Sequence, residues 1–295
     1  MSTVTAAADA VAETIAELVS CGSVEMTAHR LEDARALGEL LPAGTKVYVN
    51  HLPRHTLGET LAALEAVRAA GLEPVPHLAA RRVATRTELK DFLERAVQGA
   101  GVQKVLLIGG DDPTQRGPWA DSVALLADSA LADHGVREVG IAGYPEGHPR
   151  IPRAALERAL SEKLSLAAAQ GLGAYVVTQF SFAPARVVEY CAELAARWPR
   201  VPVFVGVAGP TEAATLLRFA HRCGVSASLR ALRAQGMGIA RLVTHTDPRE
   251  QLVAVARYCL ARAACNVVGA HFFSFGGAAH TAGWMNRLIA AAGSA

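Results

Sequence analysis

The chain has 295 residues, 51% hydrophobic but only 5% aromatic, and carries a net charge of +2. That length buries a full core, as two domains of about 150 residues or as one larger barrel, and excludes a small scaffold held by disulfides or metal. The balanced charge gives no electrostatic case for nucleic acid or a membrane surface, and a core poor in aromatics favours helices packed around a Val/Ile/Leu sheet.

Met1 to Leu18 carries Asp9, Glu13 and Glu17 through an Ala/Val pattern. The charges rule out a signal-peptide core and predict an amphipathic helix. No apolar stretch reaches the ~18 uninterrupted residues of a membrane span. The five cysteines, Cys21, Cys191, Cys223, Cys259 and Cys265, are odd in number and have no CxxC spacing. Reduced thiols in a cytoplasmic protein are the expectation.

Eight short, β-branched apolar runs then alternate with helical segments: Ser23 to Ala28, Lys46 to Leu52, Glu73 to Ala79, Lys104 to Gly109, Glu138 to Tyr144, Ala174 to Phe180, Val201 to Ala208 and Asn266 to Phe275. Segments between them, such as Leu57 to Ala70 and Thr87 to Gln98, repeat apolar residues every three or four positions with charged faces, the pattern of outer helices. The interval from Pro210 to Cys265 is long enough for more than one helix, with Gly224 and Gly236-Met237-Gly238 as breaks. Eight strands each followed by a helix predict an α/β fold, a (β/α)8 TIM barrel with an extra N-terminal helix, forming one catalytic domain over 1–295. A doubly wound open sheet shares this grammar but calls for a glycine-rich first turn. Thr27-Ala28-His29-Arg30 has no glycine.

Barrel chemistry collects where strands end, and unusual polar groups gather there. Strand one holds Glu25 among Val24 and Met26; strand two ends Asn50-His51, strand three Pro76-His77-Leu78, strand four Gly109-Gly110-Asp111. Tyr144 through Pro149 follow strand five, Thr178-Gln179-Phe180 end strand six, and His271-Phe272-Phe273 lie in strand eight. A carboxylate in an apolar strand either reaches a solvent face or an Arg, or it stays proton-loaded and serves as an acid. Of the four lysines, Lys46 and Lys104 open strands and Lys90 and Lys163 fall in helices, which disfavours Schiff-base chemistry. A metal site is not expected: Pro53 breaks the helical geometry that would pair His51 with His55. Gly209 and Gly276-Gly277 suit a backbone phosphate cradle.

Ser-Val-Glu in strand one, Pro76-His77-Leu78, Gly110-Asp111 with Pro113, Tyr144-Pro145-Glu146-Gly147-His148-Pro149 and Thr178-Gln179-Phe180 come in an order and at intervals that resemble the methylenetetrahydrofolate reductase family. The resemblance runs from about Ser23 to Phe275. It implies reduction of 5,10-methylenetetrahydrofolate to 5-methyltetrahydrofolate, with hydride from NAD(P)H passing through FAD. It makes Glu25 the general acid and Asp111 the acidic group near flavin and pterin. Gln179 becomes a folate-contacting amide, and Phe273, at the family's Tyr position, a second substrate contact. His77, Tyr144 and His148 belong to the flavin rim with Gly110, joined by Asn50 and His51 at the family's Thr-Tyr.

Three further departures, each a lost basic site, accompany the match. Gly109 stands where the family has Arg, Ala167-Ala168-Ala169 where it has a basic pair, and Gly277 where it has Arg. Each lost cation removes charge-assisted hydrogen bonds of about 1.5–3 kcal/mol to a dinucleotide. Two alternatives follow: a folate enzyme that is flavin-independent or runs in the oxidative direction, and a non-catalytic folate-binding barrel subunit. The partners implied are a tetrahydrofolate derivative and NAD(P)H, with a homo-oligomer compatible with all three readings.

Overall fold

The β-branched runs form eight parallel strands that close into a barrel, in the order β1 to β8, in a computed structural model of the chain. The structure describes residues 3–53, 55–128, 130–222, 225 and 248–292. The glycine breaks at Gly224 and Gly236-Met237-Gly238 lie outside them. The strands are β1 (Ser23–Thr27), β2 (Lys46–Asn50), β3 (Glu73–Ala79), β4 (Lys104–Ile108), β5 (Glu138–Gly143), β6 (Gly173–Thr178), β7 (Val203–Ala208) and β8 (Val267–Phe273). All eight fall on the expected runs, trimmed by one or two residues at half of their ends, and β6 starts one residue earlier than expected. β7 starts at Val203 because Pro202 has no N–H to give a ladder.

Helices described between and around them are α1 (Thr3–Ser20), α2 (Leu31–Leu40), α3 (Leu57–Ala69), α4 (Arg86–Ala100), α5 (Ser122–Ala127), α6 (Ala130–Asp133), α7 (Arg153–Ala169), α8 (Pro184–Arg197), α9 (Ala213–Arg222), α10 (Pro248–Ala261) and α11 (Ala278–Ala292). Their boundaries are chemically marked. Thr56 and Glu59 close a reciprocal capping box on α3, Thr85 caps α4, and Gly101 ends α4 in the left-handed conformation at φ 68. The long interval before β8 does hold two described helices, α9 and α10.

The chain divides into two compact units. One comprises Glu25–Gly143 and Ala154–Val176, the other Met1–Val24, Tyr144–Arg153 and Val177–Ala295. Lys104 anchors the first at the strand entrances, its Nζ 2.8 Å from Glu73 and 3.4 Å from Glu138. Deeper in, Tyr48 Oη donates to Tyr175 Oη at 3.0 Å with both rings buried, and burial pushes both phenols above their ordinary pKa. Gly140 makes the room. A Cβ there would sit 2.9 Å from the Tyr175 ring and from Leu106 Cδ1. In the second unit α1 packs on α10, α11 and β8, and Ser23 Oγ shares a 2.8 Å hydrogen bond with His271 Nδ1 beneath the ladder. No helix among the described residues is long and apolar enough to cross a membrane.

Candidate functional site

β1 is buried on both faces, as strands of a parallel barrel are, and that burial takes in Glu25 at 7% exposure. Glu25 is not at a solvent face. Asn50, closing β2, donates from Nδ2 to Glu25 Oε2 at 3.3 Å, and His77 on β3 brings Nε2 to 3.6 Å from Oε1. The two carboxyl oxygens therefore meet different groups. An amide NH2 only donates, so Oε2 is held as an acceptor and Oε1 is the oxygen suited to carry a proton. The His77 ring in turn meets Tyr48 edge to face at 5.9 Å.

The segment after β3 supplies what sequence reasoning missed. A 3-10 turn at Ala80–Arg82 turns Arg82 inward, where its Nε pairs with Asp112 Oδ2 and its Nη1 donates to the His51 carbonyl. Arg81 pins the following loop through the carbonyls of Asp112 (2.9 Å), Pro113 (2.9 Å) and Ala120 (3.2 Å). Asp111, the carboxylate expected near the flavin, is exposed, while its neighbour Asp112 is the one committed to a buried cation. Adjacent aspartates after a strand give no sequence signal for which turns inward. Arg81-Arg82 just beyond an apolar strand was the available hint.

His51 is 4% exposed, and burial, then the Arg82 charge, lowers its pKa to about 4. The folded form thus stays neutral while the unfolded chain takes up a proton near pH 6.5. Stability is fully present above about pH 6.5 and falls as pH drops towards 4, by roughly 3 kcal/mol at most. His51→Gln should flatten this dependence by one proton in urea midpoints measured between those pH values. An unchanged slope contradicts the assignment.

In the other unit, Thr178 and Gln179 divide their labour. Thr178 Oγ1 accepts the Gly206 N–H at 2.8 Å, and Gln251 donates to the Gly206 carbonyl at 2.7 Å. Gln179 Oε1 accepts the Phe180 N–H at 3.1 Å, which leaves its NH2 as the end able to meet a ligand. Phe273 belongs to an aromatic group that composition concealed: Phe180 lies 5.2 Å from Phe273, 5.3 Å from Phe275 and 5.8 Å from Phe182, and Phe219 lies 4.9 Å from Phe275. Five of the chain's eight phenylalanines gather here. Phe275 holds φ at 52, a conformation that costs a non-glycine residue roughly 1–3 kcal/mol and is kept where surroundings impose it. Tyr144 and His148 meet edge to face at 5.6 Å across a turn closed by the Gly147 N–H on the Tyr144 carbonyl.

Of the glycine cradle expected at Gly209 and Gly276-Gly277, two N–H groups are already committed within the protein. The Gly209 N–H is taken by the Phe273 carbonyl at 2.9 Å and the Gly277 N–H by the Ser274 carbonyl at 2.9 Å. Gly209 is glycine because a Cβ would meet Thr281 Oγ1 at 2.7 Å.

The unit around Glu25 has two features of a ligand site. His51 Nδ1 is buried with no hydrogen-bond partner among the described residues, an atom a bound ligand would satisfy. Gly109 and Gly110 form a bare turn, Gly110 at φ 89, where an added Cβ would stand 3.4 Å from Ala79 and 3.8 Å from Asp112 Oδ2. Among the described residues no group of three His, Cys, Asp or Glu is arranged to hold a metal ion.

A model of the methylenetetrahydrofolate reductase family matches residues 22–233. The chain is 29% identical over 160 residues to methylenetetrahydrofolate reductase 2 of Saccharomyces cerevisiae, an alignment covering 51% of this chain and 26% of the yeast protein. The matched part is thus about a quarter of that relative's length. Among solved structures, a Clostridium thermocellum protein that binds two copies of 5-methyl-5,6,7,8-tetrahydrofolic acid shares the fold, with a TM-score of 0.61 and 10% identity over 91% of this chain and 96% of that one.

Proposed function

The chain belongs to the methylenetetrahydrofolate reductase family, and from that premise we propose that it reduces 5,10-methylenetetrahydrofolate to 5-methyltetrahydrofolate with NAD(P)H in the cytoplasm, as a single catalytic barrel. The observation that carries this reading is the Glu25 carboxyl, buried and held between Asn50 and His77. Glu25 donates a proton from Oε1 to a bridge nitrogen of the folate as the methylene bridge opens. The iminium so formed accepts a hydride at its methylene carbon and becomes the methyl group. Asn50 holds the other carboxyl oxygen and fixes the direction of donation, and His77 keeps the acid beside a polar neighbour in an otherwise apolar strand environment.

FAD, when bound, relays the hydride between nicotinamide and folate. Asn50, His51, His77 and Gly110 would hold it in the unit around Glu25, and Tyr144 and His148 carry the same assignment from their motif. Asp111 is proposed to tune the charge near flavin and pterin. Gln179, through its NH2, and Phe273, through its ring face, are proposed folate contacts.

A second reading is a folate enzyme of the same barrel that works without bound flavin. It is favoured by the alanines at Ala167-Ala168-Ala169 and by the commitment of Arg81 and Arg82 to protein partners. Product analysis separates the readings. Purified protein given 5,10-methylenetetrahydrofolate and NAD(P)H should form 5-methyltetrahydrofolate in step with nicotinamide oxidation. A colourless protein that does so supports the second reading, and absence of product from a flavin-loaded protein defeats the first.

A further inference from the structure

Cys259 lies in the last turn of α10 and Cys265 two residues before β8, and the turn between them is closed by the Arg262 N–H on the Cys259 carbonyl and the Cys265 N–H on the Arg262 carbonyl. This turn brings the two Sγ atoms to 2.8 Å, joined by a hydrogen bond. Both side chains are partly exposed, unlike Cys191, which is fully buried. We propose that Cys259 and Cys265 are an oxidation site, a thiol pair that a hydroperoxide closes into a disulfide tying the end of α10 to the entrance of β8, and that a dithiol reopens.

The two sulfurs are electrostatically unequal. The hydrogen bond between them lowers the Cys265 thiol to about 7, with the Val267 backbone N–H assisting, while the same bond, burial and the Cys265 charge push Cys259 up. Cys265 is therefore the readier thiolate of the two, and the thiolate is the nucleophile. Cys265 attacks one oxygen of hydrogen peroxide: an S–O bond forms, the O–O bond breaks, and the departing hydroxide takes a proton to become water. Cys259 then attacks the Cys265 sulfur. The S–S bond forms, the S–O bond breaks, and the leaving hydroxide takes the Cys259 proton as a second water. Each sulfur loses one electron and the peroxide gains two. Reduction by dithiothreitol reverses the change, its own two thiols becoming a cyclic disulfide.

The placement gives the bond a structural consequence. Asn266, next to Cys265, donates to the Trp198 and Val201 carbonyls, and its own carbonyl accepts the Val203 N–H, so the tether would hold the segment that sets β8 beside β7. The site is independent of the reductase reading and survives its failure.

The test is peroxide treatment of the reduced wild-type protein, followed by alkylation with iodoacetamide and tryptic mapping without reductant. Cleavage after Arg257, Arg262 and Arg287 puts Cys259 in peptide 258–262 and Cys265 in peptide 263–287. The expected result is those two peptides joined, about 2 Da below their summed mass, and separated again by dithiothreitol. Cys259→Ser should instead leave a sulfenic acid at Cys265 that dimedone traps, and Cys191→Ser should close like the wild type. Alkylation of both cysteines after peroxide, a link from Cys265 to Cys21, Cys191 or Cys223, or oxygen added at Cys265 with no link in the wild type each overturns the proposal. The wild-type map decides alone if a variant does not fold.

Discussion

Glu25→Gln should lower formation of 5-methyltetrahydrofolate by about 10²–10⁴-fold, the usual contribution of a positioned general acid, while folate affinity changes by less than a few-fold. Glutamine is the informative replacement because its amide oxygen can still accept from Asn50 and its volume is nearly that of glutamate. What it lacks is the proton. The loss should appear in kcat at saturating folate, because an interaction made only in the transition state lowers kcat and kcat/KM together. Steady-state assays of the variant, with folate binding measured separately, check this. Turnover within about threefold of wild type, with binding intact, removes Glu25 from the chemistry and leaves it a buried polar residue hydrogen-bonded by Asn50 beside the His77 ring.

Arg82→Met is the substitution with the largest expected effect on stability. The guanidinium side chain is 6% exposed and its Asp112 partner 14%. Removing the cation leaves a largely buried carboxylate and the His51 carbonyl without their donor, a loss of about 3–5 kcal/mol from a total stability that is typically about 5–15 kcal/mol. Replacing both partners by apolar residues should cost less than replacing Arg82 alone, because no charge is then stranded. A urea double-mutant cycle with Arg82→Met and Asp112→Leu reads the coupling. Additive losses would show that the pair is not an energetic unit.

The barrel was legible because its signal is periodic and spread along the chain. Runs such as Lys104 to Gly109 and Ala174 to Phe180 need β-branched, doubly buried strands, and no single residue decides them. The family motifs were legible for a related reason: Thr178-Gln179-Phe180 combines a hydroxyl that holds Gly206, an amide and a ring, three jobs that leave little freedom of residue type. What the sequence left hidden was partner choice over distance. Nothing local says that Arg82 will turn to Asp112 rather than to solvent, that Asp112 rather than Asp111 will receive it, or that His77 will stand beside Glu25. Phe180 with Phe182, Phe219, and Phe273 with Phe275 stand in three places far apart in the sequence, and they become one aromatic group only through tertiary packing. Gly209 misled because open backbone and close packing both call for glycine, and here Thr281 is the reason.

The most direct test of the account is a pair of anaerobic half-reactions on the FAD-loaded protein, wild type and Glu25→Gln, followed by visible absorption. NAD(P)H should bleach the flavin band in both at similar rates, since proton donation to folate plays no part in that step. Added 5,10-methylenetetrahydrofolate should then restore the band in the wild type with one 5-methyltetrahydrofolate formed per flavin, and about 10²–10⁴-fold more slowly in the variant. Restoration at equal rates in the two proteins, or bleaching that folate never reverses in the wild type, would contradict it.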